Sequence, residues 1–163
     1  MKNGKNLVSV ILLSVACLLC IPTFSQVPKK AVVTTIPKFK PPITKTYLGK
    51  YSGLNAVCSA EEGKQLITFL LKITDDKNNT YKISSYQFAY TRKGVTEDEQ
   101  TGQVSPQSNM VADRFMATPL PAIWQSNIIE SLHKGEELYF FDVIVFDKQN
   151  RLFFAPELKI IIQ

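Results

Sequence analysis

The clearest pattern of apolar and polar positions in this chain lies at its C-terminal end, where two apolar runs flank the polar break Asp147-Lys148-Gln149-Asn150-Arg151. Runs of Phe, Val, Ile and Tyr around a short break rich in turn formers predict two antiparallel strands joined by a tight connection. Alternation in the first run puts Tyr139, Phe141, Val143 and Val145 on one face and Leu138, Phe140, Ile144 and Phe146 on the other. Both faces are apolar, so the run reads as a strand covered on both sides, as inside a sandwich. In the second run Leu152, Phe154, Leu158, Ile160 and Ile162 share a face, with Glu157 and Lys159 opposite. Pro156 cannot donate to a ladder, which places it at an edge or a bulge.

The pattern upstream is also mostly that of strands. Tyr47 to Val57 reads as an irregular strand broken by Gly49 and Gly53, and Glu61-Glu62-Gly63-Lys64 as a turn. Gln65 to Thr74 then sets Ile67, Phe69, Leu71 and Ile73 on one face of a strand. Asp75-Asp76-Lys77-Asn78-Asn79 has strong turn chemistry. Tyr81 to Arg92 follows as a strand with Tyr86, Phe88 and Tyr90 opposite Ile83, Gln87 and Ala89, ended by Gly94. Residues 95–109 are polar enough to read as a loop, with a short strand after them around Met110 to Met116. In Ala122 to His133, Trp124, Ile128 and Leu132 recur at four-residue spacing, which predicts one amphipathic helix. Gly135 would cap it in the left-handed conformation, and His133 and Lys134 suit its negative end. The body is therefore a mainly β sandwich with one short helix.

The N-terminal part changes the picture from a domain to an exported domain. Lys2 and Lys5 precede an apolar run from Leu7 to Ile21, and Pro22-Thr23-Phe24-Ser25 follows it, the three-part layout of a signal peptide over residues 1–25 cleaved after Ser25. The run is shorter than the roughly 20 residues that span a bilayer. A lipoprotein is the weaker reading, because neither Cys17 nor Cys20 has both the upstream Leu and the small preceding residue that lipidation requires. Residues 26–46 hold four prolines and five lysines and read as an extended linker. Six lysines and no acid fall in residues 26–50, leaving 11 basic against 14 acidic groups in residues 51–163. The chain is thus a basic tether on a mildly acidic body, and the tether would make at most weak contact with an anionic membrane surface. With Phe39 its only aromatic, it does not read as a nucleic-acid surface.

Few residues offer chemistry. Cleavage leaves one thiol, Cys58, so no internal disulfide forms, although Cys58 could cross-link two copies into a homodimer. His133 is the sole histidine and its helix-end position accounts for it. A metal site would need further ligands, and the Asp75 to Asn79 loop lacks the spacing, central Gly and terminal Glu of a calcium loop. Asn78-Asn79-Thr80 matches the N-glycosylation triplet, relevant only in a eukaryotic secretory host. Asp142 stands alone among apolar neighbours, where an unpaired buried carboxylate would be too costly. It therefore belongs at a bulge or an edge. No catalytic, cofactor or metal residue is assigned.

From Ile83 onward the chain resembles the C-terminal domain of GldM, a periplasmic protein of gliding motility and type IX secretion in the Bacteroidota. The resemblance rests on Ile83-Ser84-Ser85-Tyr86-Gln87-Phe88, Arg92-Lys93-Gly94, Ile128 to Leu132, Lys134 to Phe140, the polar break at Asp147 to Asn150 and the apolar C-terminal strand. It implies a small immunoglobulin-like antiparallel β-sandwich over residues 47–163, without catalytic residues, that acts in the periplasm by protein contact. The membrane helix, helical bundle and repeated domains of that family have no counterpart here, so its motor-coupling role does not carry over. The expected function is an envelope adaptor that binds a protein partner through a strand edge or the 95–109 segment. The alternative is a carbohydrate or peptidoglycan binder that stacks sugars on Tyr86, Phe88 and Tyr90.

Overall fold

The computed structural model describes residues 39–163; the expected signal peptide, with Cys17 and Cys20, and residues 26–38 of the expected linker lie outside the described residues. The body begins earlier than residue 47. Phe39 packs edge-on against Phe153, with the Arg151 guanidinium 4.0 Å from its ring centroid. The first strand, β1 (Thr44–Leu48), buries Thr44, Thr46 and Leu48. After the short β2 (Tyr51–Ser52) and β3 (Ala56–Cys58), the expected turn at Glu61 to Lys64 proves to be helix α1 (Ala60–Leu66). Its start is local chemistry: Ser59 caps it by accepting the Glu62 N–H at 3.2 Å, and Glu61 and Glu62 complement the first turn. Gly63 masked the helical pattern, and packing explains it. A Cβ there would lie 2.7 Å from Leu132 Cδ2 and 2.9 Å from Ile162 Cδ1.

Because α1 uses Gln65 and Leu66, the strand expected from Gln65 starts only at Leu71, as β4 (Leu71–Asp75). It leads through the Asp75 turn into β5 (Thr80–Glu97), which does not stop at Gly94. A turn at Asp98 to Gly102 returns the chain as β6 (Val104–Phe115), paired with β5 from Glu97↔Val104 to Tyr86↔Phe115. Residues 95–109 are therefore mostly a two-stranded ribbon, not a loop. Helix α2 (Ala122–Ser131) ends sooner than expected. Gly135 has φ +90°, but its N–H donates to the Ile162 carbonyl at 2.7 Å, so it shapes the connection to the next strand instead of capping the helix. That strand is β7 (Glu137–Phe146), followed by β8 (Leu152–Phe154) and β9 (Leu158–Ile162).

The strands order as β2-β1-β4-β5-β7-β9-β3, with β6 beside β5 and β8 beside β7. Neighbours run antiparallel except β3 and β9, which are parallel, a departure from the expected all-antiparallel sheet. The arrangement is a mainly β sandwich with two helices where one was expected. Leu48, Leu71 and Ile73 from β1 and β4 join Tyr86, Phe88, Phe140, Val143 and Ile160 in one core. Trp124 of α2 meets Phe88 and Phe115 edge-on at 5.8 and 5.4 Å.

The burial pattern corrects the faces read from alternation. In β7 the buried residues are Leu138 and Phe140, then Val143 and Val145; in β9 and β8 they are Ile162, Ile160 and Leu158, then Phe153. In β5 Tyr86, Phe88 and Tyr90 are buried on the core face, with Ser85 and Ala89 also buried, whereas Tyr81 and Ile83 are the positions packed on the core at its other end. Each strand changes phase at one level of the sheet. Asp142 adopts φ +46° there, opposite the Pro156 interruption, and β5 slips register on either side of Ser85. An inserted residue reverses the parity of every position beyond it. Leu152 and Phe154 consequently point outward, 55% and 68% exposed, away from the face of Leu158.

Candidate functional site

Each residue singled out in the sequence has a definite place. Tyr86, Phe88 and Tyr90 are essentially fully buried, so the three rings proposed as a sugar-stacking platform belong to the core. Burial pushes the phenols of Tyr86 and Tyr90 up to about 12, and at Tyr90 the Glu136 carboxylate adds to the shift. Cys58 is buried too, and desolvation, followed by the Glu62 charge, raises its thiol to about 11. A thiol so placed is held in its protonated form and has little surface on the outside of the fold. His133 is exposed and sits beyond the end of α2, with Nδ1 against the Ser131 carbonyl.

Sequence reading missed the most specific polar cluster, centred on Glu136. This carboxylate is 3% exposed, and its Oε2 accepts the Tyr90 hydroxyl and, at 2.9 Å, the His133 N–H. The Tyr90 hydroxyl also lies 3.3 Å from Ser131 Oγ. Together these bonds fix the connection between α2 and β7, so the cluster is satisfied internally. In the sequence it is one of an acidic pair, Glu136-Glu137, directly after Gly135, which looks exposed.

The Asp75 and Asp147 turns are also self-contained. Asp75 Oδ1 accepts the Lys77 and Asn79 N–H groups at 2.9 Å, and Asp147 Oδ1 accepts those of Gln149 and Arg151 at 2.8 Å. Asn78 and Asn150 both take φ +59°, which completes the same five-residue turn twice. The Asn79 side-chain amide, then backbone N–H groups and the Tyr81 hydroxyl, hold the Asp75 carboxyl down at about 2. A groove of about 490 Å3 runs between these turns. Asp75 and Asp147 both line it, and both carboxylates are engaged by their own turns. Among the described residues no group of three His, Cys, Asp or Glu side chains comes together to hold a metal ion, and no helix is long and apolar enough to cross a membrane.

What the fold does present is surface. Strand β6 pairs with β5 alone, and its residues from Val104 to Arg114 are all exposed. Its outer edge therefore carries unpaired backbone groups over most of twelve residues. Pro106 suits an edge position because it has no N–H to donate. Beside the ribbon, Tyr90, Arg92, Val111, Trp124, Asn127 and Ile128 line an apolar groove of about 310 Å3 with a guanidinium in its wall. The opposite face of β7 carries Tyr139 and Phe141 as a stacked pair, ring centroids 4.9 Å apart. Asp142 is exposed there and its Oδ2 accepts the Gln87 amide at 2.6 Å, which explains how a carboxylate tolerates that strand.

Comparison with known proteins returns neither a matching family model nor a matching curated relative.

Proposed function

We propose that this chain is an exported, non-enzymatic binding module of the bacterial cell envelope, an adaptor of GldM C-terminal-like type that captures a protein partner by strand addition to β6. The observation that carries the reading is the long open edge of β6 beside the Trp124 groove. Strand addition uses backbone hydrogen bonds for affinity and pockets for alternate side chains for specificity. An incoming strand on β6 could place an apolar side chain in the groove and a carboxylate near Arg92. Support for export comes from the signal-peptide layout of residues 1–25, and the Pro- and Lys-rich tether gives the module reach. Among the described residues Cys58 is the one cysteine and it is buried, which fits a core that holds itself together by packing.

The test is photo-crosslinking in living cells with a photoreactive residue at Asn109 on β6 or at Lys148 on the far turn. A discrete crosslinked envelope protein from position 109 and none from 148 is the expected result. Equal crosslinking from both positions, or none from either, would refute strand capture. The sugar-binding reading loses its proposed platform, since the three rings named for it are buried.

A further inference from the structure

The β6 edge is not open to the same degree along its length, and the ladder shows where it is. Asp98 donates its N–H to the Gln103 carbonyl at 2.9 Å, and the β5–β6 register then runs unbroken from Glu97↔Val104 to Tyr86↔Phe115. Backbone groups alternate in an antiparallel pair, so the odd-numbered residues of β6 turn their N–H and C=O toward β5. The even-numbered ones, Val104 to Arg114, turn theirs to the free side. Two further facts agree with that parity. Pro106, which has no N–H, falls at an outward position. The Arg114 N–H, also outward, donates to its neighbour's carboxylate, Asp113 Oδ1, at 2.7 Å.

The same two residues blunt the edge on either side of its middle. Between them Ser108, Met110 and Ala112 keep both outward groups, which leaves a window over residues 108–112 about 17 Å long. The apolar groove meets the strand inside this window, at Val111, with Trp124 and Ile128 of α2 in its wall. Two places from Val111 on the same face is Asn109, whose partner across the ladder is Arg92. The Arg92 guanidinium lies 5.1 Å from the Tyr90 ring centroid and, among the described residues, pairs with no carboxylate. A strand added at 108–112 sets one side chain opposite Val111, against Trp124 and Ile128, and another opposite Asn109. The second stands two strand spacings, about 10 Å, from the backbone that carries Arg92. A carboxylate and the guanidinium reaching toward each other bridge that span, whereas a Lys at the same place would meet like charge. On the other face the middle of the incoming strand meets Met110, which is 65% exposed.

We propose, resting on strand capture by β6, that the partner is held only at Ser108–Ala112 and that the captured segment is a short acidic and apolar strand. It carries a carboxylate opposite Asn109 for Arg92 and, two residues away, a large apolar side chain opposite Val111 for the Trp124 groove. Backbone pairing over the window sets the length of the segment, and the two side chains set its register.

Crosslinking in living cells from Asn109 of the otherwise unaltered chain supplies the reference band. Its absence would remove strand capture and the window with it; with the band present, the outcomes that follow bear on the window and its occupant alone. Ala112→Pro, which deletes an outward N–H inside the window, and Arg92→Glu should each weaken the band about tenfold or more. Val104→Pro, which deletes an outward N–H beyond Pro106, should leave it within about twofold of the parent. All three positions are exposed and neither proline takes an N–H from the β5 ladder, so thermal unfolding of the variants should match the parent. Arg92→Glu leaves the backbone as it is and decides the matter should a proline disturb the strand. Mass spectrometry of the crosslinked peptide should find Asp or Glu two residues from a large apolar side chain. Equal losses from the two prolines, or a loss from neither, would overturn the window. A band indifferent to Arg92→Glu, or a crosslinked segment without that acid and its apolar neighbour, would overturn the acidic and apolar occupant.

Discussion

Strand β5 passes through two environments without changing direction. From Tyr86 to Tyr90 it lies between β6 and β7 with α2 against it, and Phe88 touches both Phe140 at 4.8 Å and Trp124 at 5.8 Å. From Arg92 to Glu97 it pairs with β6 alone and every residue is exposed. The same secondary structure is a core element in one half and a projecting ribbon in the other. Backbone pairing sustains both, but only the first half draws stability from burial, so the second half is free to be shaped by what it contacts.

The largest effect that would sharpen this contrast is at Phe88. Phe88→Ala should cost about 3–5 kcal/mol in urea unfolding, because it empties the space shared with Trp124 and Phe140. A loss below about 1 kcal/mol would mean that α2 is not held against the sheet as described. Next is the polar lock at the inner end of the ribbon. Tyr90→Phe removes a hydroxyl from the buried Glu136 carboxylate and should cost about 1–3 kcal/mol, whereas Tyr139→Phe, whose bond to Glu157 lies on the half-exposed outer face, should cost less than about 1 kcal/mol. Equal losses would erase the distinction between the two faces.

The turns offer a comparison by pH. Asp75 in the body and Asp98 at the ribbon tip both accept backbone N–H groups, and both carboxyls lie below their ordinary value. A depressed carboxyl stabilises the fold above its unfolded value of 3.8 and loses that contribution as pH falls toward the folded value, about 2 for Asp75. Acid unfolding followed by circular dichroism should therefore steepen between these values. Asp75→Asn should flatten that slope, and Asp98→Asn should leave it unchanged, because opening the tip uncovers no core. The smallest effect is Val95→Ser in the ribbon, which should alter stability by no more than about 0.5 kcal/mol, while its amides exchange with solvent far sooner than those of Phe88 in hydrogen-exchange measurements.

Some of this was legible in the residues. The Asp-led turns announce themselves by composition, and the helix at Ala122 by its spacing. The apolar character of both faces of β7 was also readable, but its meaning was not. Alternation assigned Val143 and Val145 to the face of Tyr139, whereas the inserted residue at Asp142 returns them to the face of Phe140. A bulge leaves almost no mark on hydrophobic periodicity, since it is one residue long. Helix α1 was hidden for a related reason: Gly63 looks like a breaker, and only the closeness of Leu132 and Ile162 shows why a Gly stands there. The ribbon at residues 95–109 was unreadable because a strand with nothing to bury has no apolar period.

The sequence by itself determined the class of this protein, a mainly β body after a Lys- and Pro-rich N-terminal stretch, because strand-forming runs and turn chemistry are short-range properties. Tertiary structure alone decided which face of each strand is inside, that Glu136 is buried and satisfied, and that the edge of β6 stands open. Those outcomes depend on register and on neighbours distant in the chain, and a single slipped residue reverses them.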